Sequence, residues 1–212
     1  MRVGVRRAQR AEYTTRENEF QGNLPAAGIV PVLRTEEHDM QETPTQYTRR
    51  ILGYQKGKRP FTVLARTPRT ISRLIAGAPR RAITAPPGPG RWSVAEIIAH
   101  LADTELVIGF RMRLVLGSNG TRIQSFDQDV WATNFRYDLQ DIRESLEAFR
   151  VQRERNLRLL RRLPAPMWKY YGMHDERGKE TITRMTEMSA GHDLNHLKQI
   201  RGILTLPDDR TA

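Results

Sequence analysis

Apolar residues recur at steps of three and four along four stretches of the chain, and this spacing places side chains on one face of an α-helix. The stretches cover residues 45–76, 93–116, 141–163 and 183–204. Each one predicts an amphipathic helix that turns one face towards a core. Four such helices in succession predict an all-α protein, specifically a four-helix bundle.

The first stretch carries signals that break a helix. Gly57 and Pro60 interrupt its pattern, and Thr67 followed by Pro68 predicts a restart, with a capping residue and then proline in the first turn. Its inward positions are predicted to be Leu64, Ile71, Leu74 and Ile75.

The second stretch has the clearest start signal, because Ser93 and Glu96 have the spacing of a capping box. The inward faces of the second, third and fourth helices are predicted to carry, in turn, Val94, Ile97, His100, Leu101, Thr104 and Ile108; Ile142, Leu146, Phe149, Arg153, Leu157 and Leu160; and Met185, Ser189, His192, His196, Gln199 and Ile203. Most of these residues are apolar, so the histidines and the arginine stand out.

The connecting segments are rich in turn residues. Residues 78–92 contain four prolines and two glycines and are predicted to form a loop. The connection over residues 117–141, of roughly 25 residues, is long for a compact domain, and such loops are often functional or contain a short helix of their own.

The N-terminal residues lack this periodicity. Residues 1–43 show no sustained helical or strand period, so we expect a poorly ordered extension, or an upstream misread start if translation begins at Met40. The domain is then predicted to cover residues 44–206, followed by a C-terminal tail over 207–212.

Composition narrows the classes of protein. The chain has 212 residues, no cysteine and a net charge of +11. The absence of cysteine excludes disulfides, thiolate metal sites and a cysteine nucleophile. No apolar run is long enough to cross a membrane, so we expect a soluble, cytoplasmic protein. The basic residues are spread thinly, without a recognised binding motif, so we expect no specific nucleic-acid partner.

Three of the five histidines form a candidate metal site. His192 and His196 are one helical turn apart and point the same way, and His100 occupies the inward face of another helix. Neutral imidazoles are common ligands of divalent metals, and three of them leave positions open for catalysis. The spacing alone leaves a second interpretation open, in which these are core histidines satisfied by hydrogen bonds.

Several polar residues lie near these histidines in the sequence. Asp103, Asp193 and Gln199 are candidates for residues that hydrogen-bond to the histidine ligands and orient them. Asp193 is alternatively a partner in helix packing, and Asp103 and Glu105 are alternatively solvated charges. A zinc-protease motif is not expected, because Asp193 is one carbon shorter than the glutamate of HExxH.

The two remaining histidines are not expected to bind metal. His174 lies in a turn-like segment, "YGMHDERGKE", and is expected at the surface. His38 lies in the predicted extension.

Four segments taken together resemble the DinB superfamily, in its YfiT-like metal-dependent branch. They are "WSVAEIIAHLADTE" around His100, "FDQDVWA" at residues 126–132, "ESLEAFRVQRERNLRLL" in the third helix and "GHDLNHLKQI" near the C-terminus. The resemblance covers residues 44–206 in order and leaves the N-terminal extension out.

The resemblance implies a four-helix bundle in which His100, His192 and His196 bind one divalent metal ion, usually nickel or zinc. Iron also accepts imidazole ligands, so the sequence leaves the choice among these three metals open. The resemblance also implies a homodimer, and an enzyme that acts on a small molecule. Some members are S-transferases that use a low-molecular-weight thiol, and some isomerise maleylpyruvate with such a thiol.

Two functional hypotheses follow. The first is a metal-dependent enzyme that activates a low-molecular-weight thiol, as an S-transferase, or water, as a hydrolase. Because the chain has no cysteine, a thiol nucleophile would have to be a cosubstrate. The second is a bundle that binds a metal or a small ligand without catalysis.

Overall fold

The computed structural model describes residues 42–205, which form seven α-helices and a small three-stranded sheet. The helices are α1 Pro44–Gln55, α2 Pro60–Ile75, α3 Arg80–Thr84, α4 Val94–Gly117, α5 Gln128–Asn134, α6 Ile142–Arg161 and α7 Ile182–Thr205. The strands are β1 Arg122–Ile123, β2 Tyr171–His174 and β3 Gly178–Thr181. Apart from Glu42 and Thr43, the predicted extension lies outside the described residues, as does the tail. No described helix has the length and apolarity that a membrane span requires.

The predicted all-α bundle is confirmed, and α2, α4, α6 and α7 are its four long helices. Its main core contains Ile71 from α2, Ile98 and Leu101 from α4, Phe149 from α6 and Ile200 from α7, each almost inaccessible to solvent. Burial of these side chains is the dominant favourable contribution to the folding of such a bundle.

The capping box predicted for the second helix is present. The Ser93 backbone N–H donates to Glu96 Oε2 at 2.7 Å, and the Glu96 N–H donates to Ser93 Oγ at 3.2 Å. Two of the N–H groups that have no partner within the helix are thereby satisfied, and α4 begins at Val94.

The first predicted stretch is divided into two helices. α1 ends before Gly57, whose φ of 76° favours glycine, and Pro60 begins α2. The predicted restart at Thr67 and Pro68 is wrong, because both residues are buried within α2. A proline there leaves the carbonyl of Leu64, four residues earlier, without its usual donor. Arg153 Nη1 of α6 donates to that carbonyl at 3.1 Å, so a contact between helices replaces the missing hydrogen bond.

α1 packs against α7 beside the histidine pair. Gly191 makes the close approach possible, since a side chain there would overlap the Ile51 carbonyl oxygen of α1. The glycine that precedes His192 therefore lets α1 pack closely against α7 beside the histidine pair.

The sheet was not predicted from the sequence. β1 pairs in parallel with β2, and β2 pairs antiparallel with β3, with Met173 opposite Lys179. Strand β1 and helix α5 both lie in the long connection between α4 and α6, which agrees with the expectation of a short helix there. The loop predicted over residues 78–92 contains the one short helix α3.

A buried guanidinium joins all four long helices. Arg153 of α6 is 3% exposed and pairs with Asp193 of α7 through two hydrogen bonds, at 2.5 and 2.9 Å. Its Nε donates to Glu105 Oε2 of α4 at 2.9 Å, and its bond to Leu64 reaches α2. Asn156 completes the group by donating to Glu105 Oε1 at 2.7 Å. Every charge in this cluster has a partner, as burial requires.

Replacing Arg153 with Met should destabilise the protein strongly, because two carboxylates would then be buried without a counter-ion. We expect a loss of about 3–5 kcal/mol in the free energy of unfolding, measured by urea denaturation. Arg150→Met is the matched control, since Arg150 lies on the exposed face of the same helix and pairs with Glu147 and Glu154. Equal losses for the two variants would contradict the role assigned to the buried cluster.

Candidate metal centre

The three predicted histidines meet at one point in the bundle. His100 comes from α4, and His192 and His196 lie one turn apart on α7; all three are buried, with exposures of 1%, 8% and 5%. His192 Nε2 lies 3.2 Å from His100 Nε2 and 3.1 Å from His196 Nε2. All three ligand atoms lie within 4.8 Å of one another. Side chains that are 92 residues apart in the sequence thus share one centre.

Burial keeps these imidazoles neutral. It lowers the pKa of His100 and of His192 well below the ordinary value, and the neighbouring His196 adds to both effects. Burial also lowers the pKa of His196, to about 4. At neutral pH each ring therefore has one unprotonated nitrogen, the form that binds metals.

The tautomer of His196 is determined by Gln199. His196 Nδ1 lies 2.7 Å from Gln199 Oε1, which can only accept, so Nδ1 carries the proton and Nε2 has the lone pair. That lone pair faces the other two rings. A neighbouring group that holds the second nitrogen in this way is typical of histidines that bind metal.

The residues present fit a divalent metal ion. Metal–nitrogen distances of about 2.0–2.1 Å in a tetrahedral shell separate neighbouring nitrogens by roughly 3.3 Å. The two distances from His192 Nε2, 3.1 and 3.2 Å, are close to this value, and the third pair lies within 4.8 Å. Without an ion, three neutral imidazoles would turn nitrogen atoms towards one another with few protons to share. The donor set, three imidazoles and no thiolate, suits zinc, nickel or iron.

Of the three supporting candidates, only Gln199 contacts a histidine of the centre. Asp103 accepts a hydrogen bond from the Tyr137 hydroxyl at 2.7 Å, and Asp193 is occupied by Arg153. The packing alternative for Asp193 thus describes its contacts. The expectation that Glu105 is a solvated charge is wrong, because Glu105 is 3% exposed and pairs with Arg153.

Thr104 is a site residue that the sequence did not single out. Its hydroxyl lies 3.3 Å from His100 Nε2, one turn along α4. The residue was predicted to face inward, but nothing in the pattern distinguished its hydroxyl from that of a packed core threonine.

A cavity of about 310 Å³ opens onto His192 and His196. Its lining comes from four separate segments and includes Tyr47 and Arg50 of α1, Arg91 and Trp92 before α4, Gln128 and Asp129 of α5, and Asn195 and Gln199 of α7. The Trp92 ring stacks beside His100, with centroids 4.8 Å apart. The volume is at the small end of the range for small-molecule sites.

The two arginines of this cavity differ in their pairing. Arg50 donates to Glu42 at 2.7 and 2.9 Å and to Asn195 at 3.0 Å. Arg91 is exposed, and among residues 42–205 no carboxylate lies within ion-pair distance of its guanidinium. One cation at the cavity is therefore available for a ligand.

His174 is not at the surface as expected. It is 3% exposed at the end of β2, where its Nδ1 accepts from the Glu176 N–H at 3.2 Å. Its Nε2 is buried and has no hydrogen-bond partner within residues 42–205, and the residue does not belong to the histidine centre. The strand pairing that buries His174 was not visible in the sequence. His38 lies outside the described residues.

Comparison with known proteins identifies the family. A model of the DinB superfamily matches residues 64–200, which is more than half of the chain. The protein therefore belongs to the DinB superfamily, as the resemblance indicated.

Three relatives carry the name "Putative metal-dependent hydrolase". Two are from Oceanobacillus iheyensis, 30% identical over 120 residues and 25% identical over 112 residues. The third, from Halalkalibacterium halodurans, is 27% identical over 113 residues. The matches cover 53–56% of this chain and about two thirds of each relative, 69%, 64% and 66% respectively.

A solved structure shows the same fold. It is that of YfiT from Bacillus subtilis, described as "a probable metal-dependent hydrolase with an unusual four-helix bundle topology". The TM-score is 0.63 at 20% sequence identity, covering 79% of this chain and 90% of that chain. At this identity the likeness concerns the fold.

The burial of His174 predicts a dependence of stability on pH. Burial, helped by Arg177, lowers the pKa of His174 to about 4, whereas an unfolded histidine titrates near 6.5. Below about pH 6.5 the unfolded chain therefore binds more protons than the native one, and stability falls as the pH decreases towards 4. In chelator-treated protein, urea unfolding at pH 7 and pH 5 should show a smaller decrease for His174→Gln than for the wild type. An identical decrease would contradict this assignment.

Proposed function

We propose that this protein is a metal-dependent hydrolase in which His100, His192 and His196 bind one divalent ion through their Nε2 atoms. The observation that carries the proposal is the convergence of these three nitrogens beside a cavity that His192 and His196 line. The names of three relatives agree with it.

The chain's own residues prepare this site. Burial holds the rings neutral, Gln199 orients His196, and Trp92 packs against His100. When bound, a divalent ion would supply Lewis acidity, lowering the pKa of a coordinated water or thiol towards neutrality. The Thr104 hydroxyl lies close to His100 Nε2, so it can donate a hydrogen bond to a ligand bound there or accept one from it.

The second candidate is an S-transferase that uses a low-molecular-weight thiol. It is favoured by Arg91, whose guanidinium can bind a carboxylate of such a cosubstrate in a bidentate manner. The absence of cysteine in the chain requires the thiol to come from outside. Both candidates use the same three ligands, so only the nucleophile distinguishes them.

Replacing His196 with Ala should sharply lower the metal content of the purified protein, because one of three ligands is removed. Gln199→Ala should retain the ligands but weaken metal affinity by about 10–100-fold. Elemental analysis and titration with Zn²⁺ and Ni²⁺ would measure both effects, and circular dichroism would check helix content. His174→Gln is the matched control, as it changes a buried histidine outside the centre. Stoichiometric metal in folded His196→Ala would contradict the proposed ligand set.

Turnover assays would decide between the candidates. Metal-loaded and chelator-treated protein would be tested on activated esters and amides, and on an electrophile with cysteine or another low-molecular-weight thiol. Turnover that requires metal but no thiol is the expected result for a hydrolase. Turnover that depends on thiol supports the transferase, and its loss in Arg91→Met would identify the cosubstrate contact. Full metal loading without any turnover would indicate a binding protein and contradict both candidates.

A further inference from the structure

Arg111 of α4 is a buried cation that the metal centre does not use. It is 8% exposed, and its Nη2 donates to the Gln124 carbonyl oxygen. Among residues 42–205 no carboxylate lies within ion-pair distance of its guanidinium. Arg153, which is also buried, has two carboxylate partners instead.

A buried charge without a counter-ion costs free energy, and the pKa of the Arg111 guanidinium is lowered accordingly. Burial lowers its pKa to about 10, and the positive charge of Arg177 acts in the same direction. Carboxylates at Glu180, Glu176 and Asp175 oppose the effect only from a distance. An anion beside the guanidinium would remove this penalty.

The guanidinium lines a cavity that is open to such an anion. The cavity has a volume of about 790 Å³, and its apolar walls come from α4, from the segment that leads into α5 and from α5 itself. Those walls are Val107, Phe110, Leu114, Phe126 and Trp131. Phe110 is 60% exposed and Leu114, one turn further along α4, is 37% exposed, so apolar surface of the cavity is open to solvent.

Two aromatic rings of the cavity lie close to the Arg111 guanidinium. The Phe126 and Trp131 rings are 4.6 Å apart, and the Arg111 guanidinium lies 5.5 Å from the Phe126 centroid. An aromatic or aliphatic group can therefore pack on these rings while a charged group attached to it reaches Arg111.

The other charged side chains of the cavity are already engaged. Arg122 pairs with Asp175 at 2.7 Å, and Asp127 caps α5 by accepting from the N–H groups of Asp129 and Val130. One unpaired positive charge against an apolar wall matches a ligand with a single negative charge. A phosphate or a polyanion would bring more charge than this wall can solvate.

We propose that this cavity is a second small-molecule site, separate from the metal centre, which binds an amphipathic monocarboxylate by pairing the carboxylate with Arg111 and packing the apolar part against Phe126, Trp131 and Phe110. Helix α5 contributes to both sites, since Gln128 and Asp129 line the metal cavity and Trp131 lines this one.

Isothermal titration calorimetry on the full chain would test the proposal with phenylpropionate and its neutral isostere phenylpropionamide. The carboxylate should bind about tenfold or more tightly than the amide, because only the carboxylate forms a charge-assisted pair. Arg111→Met should reduce carboxylate affinity by a similar factor. Arg122→Met, at the exposed edge of the same cavity, should change it little.

The metal centre needs a separate control, because carboxylates also bind metals. Phenylpropionate affinity should be the same in His196→Ala as in the wild type. Equal affinities for acid and amide in the wild type would overturn the proposal even if Arg111→Met failed to fold. Loss of binding in His196→Ala together with unchanged binding in folded Arg111→Met would also overturn it, by placing the ligand at the metal centre.

Discussion

The buried ion pairs of Arg153 are the constraint on which the arrangement of the bundle depends. One guanidinium holds Glu105, Asp193 and the carbonyl that Pro68 leaves without a donor, so all four long helices meet at it. Ion pairs of this kind contribute little net stability compared with apolar packing, but breaking them is expensive. Their effect is therefore on how the four long helices are arranged relative to one another. Asp193 follows His192 directly, so the rotation of α7 that satisfies Arg153 also brings His192 and His196 round to face His100.

Burial of three imidazole rings costs free energy, but the same burial keeps the rings neutral. Removal from water lowers the pKa of each imidazole and keeps a lone pair available, whereas a solvated histidine would be partly protonated near neutral pH. Neutral rings that turn unprotonated Nε2 atoms towards one another have no N–H group to share between them. A divalent cation, as proposed, would satisfy all three lone pairs at once.

The long connection between α4 and α6 forms part of two cavities and one strand of the sheet. Its helix α5 lines the cavity beside the histidines with Asp129 and the cavity beside Arg111 with Trp131, while strand β1 extends the hairpin that buries His174. Rigid helices hold the charged and ligating groups, and the connection forms walls around them. This division is common in proteins whose loops carry specificity.

The sequence by itself determined the bundle, the start of α4 and the inward positions of His100, His192 and His196, because helical periodicity and capping are local properties that spacing reveals. It also placed Arg153 on an inward face. What only the tertiary structure decided are properties of pairing between distant segments. These are the continuation of α2 through Pro68, the burial of Glu105 and His174, the meeting of the three histidines with Thr104 beside them, and the lack of a carboxylate partner for Arg111 within the described residues. In each case the outcome depends on which group from another element lies within a few ångströms, and local spacing carries no information about that.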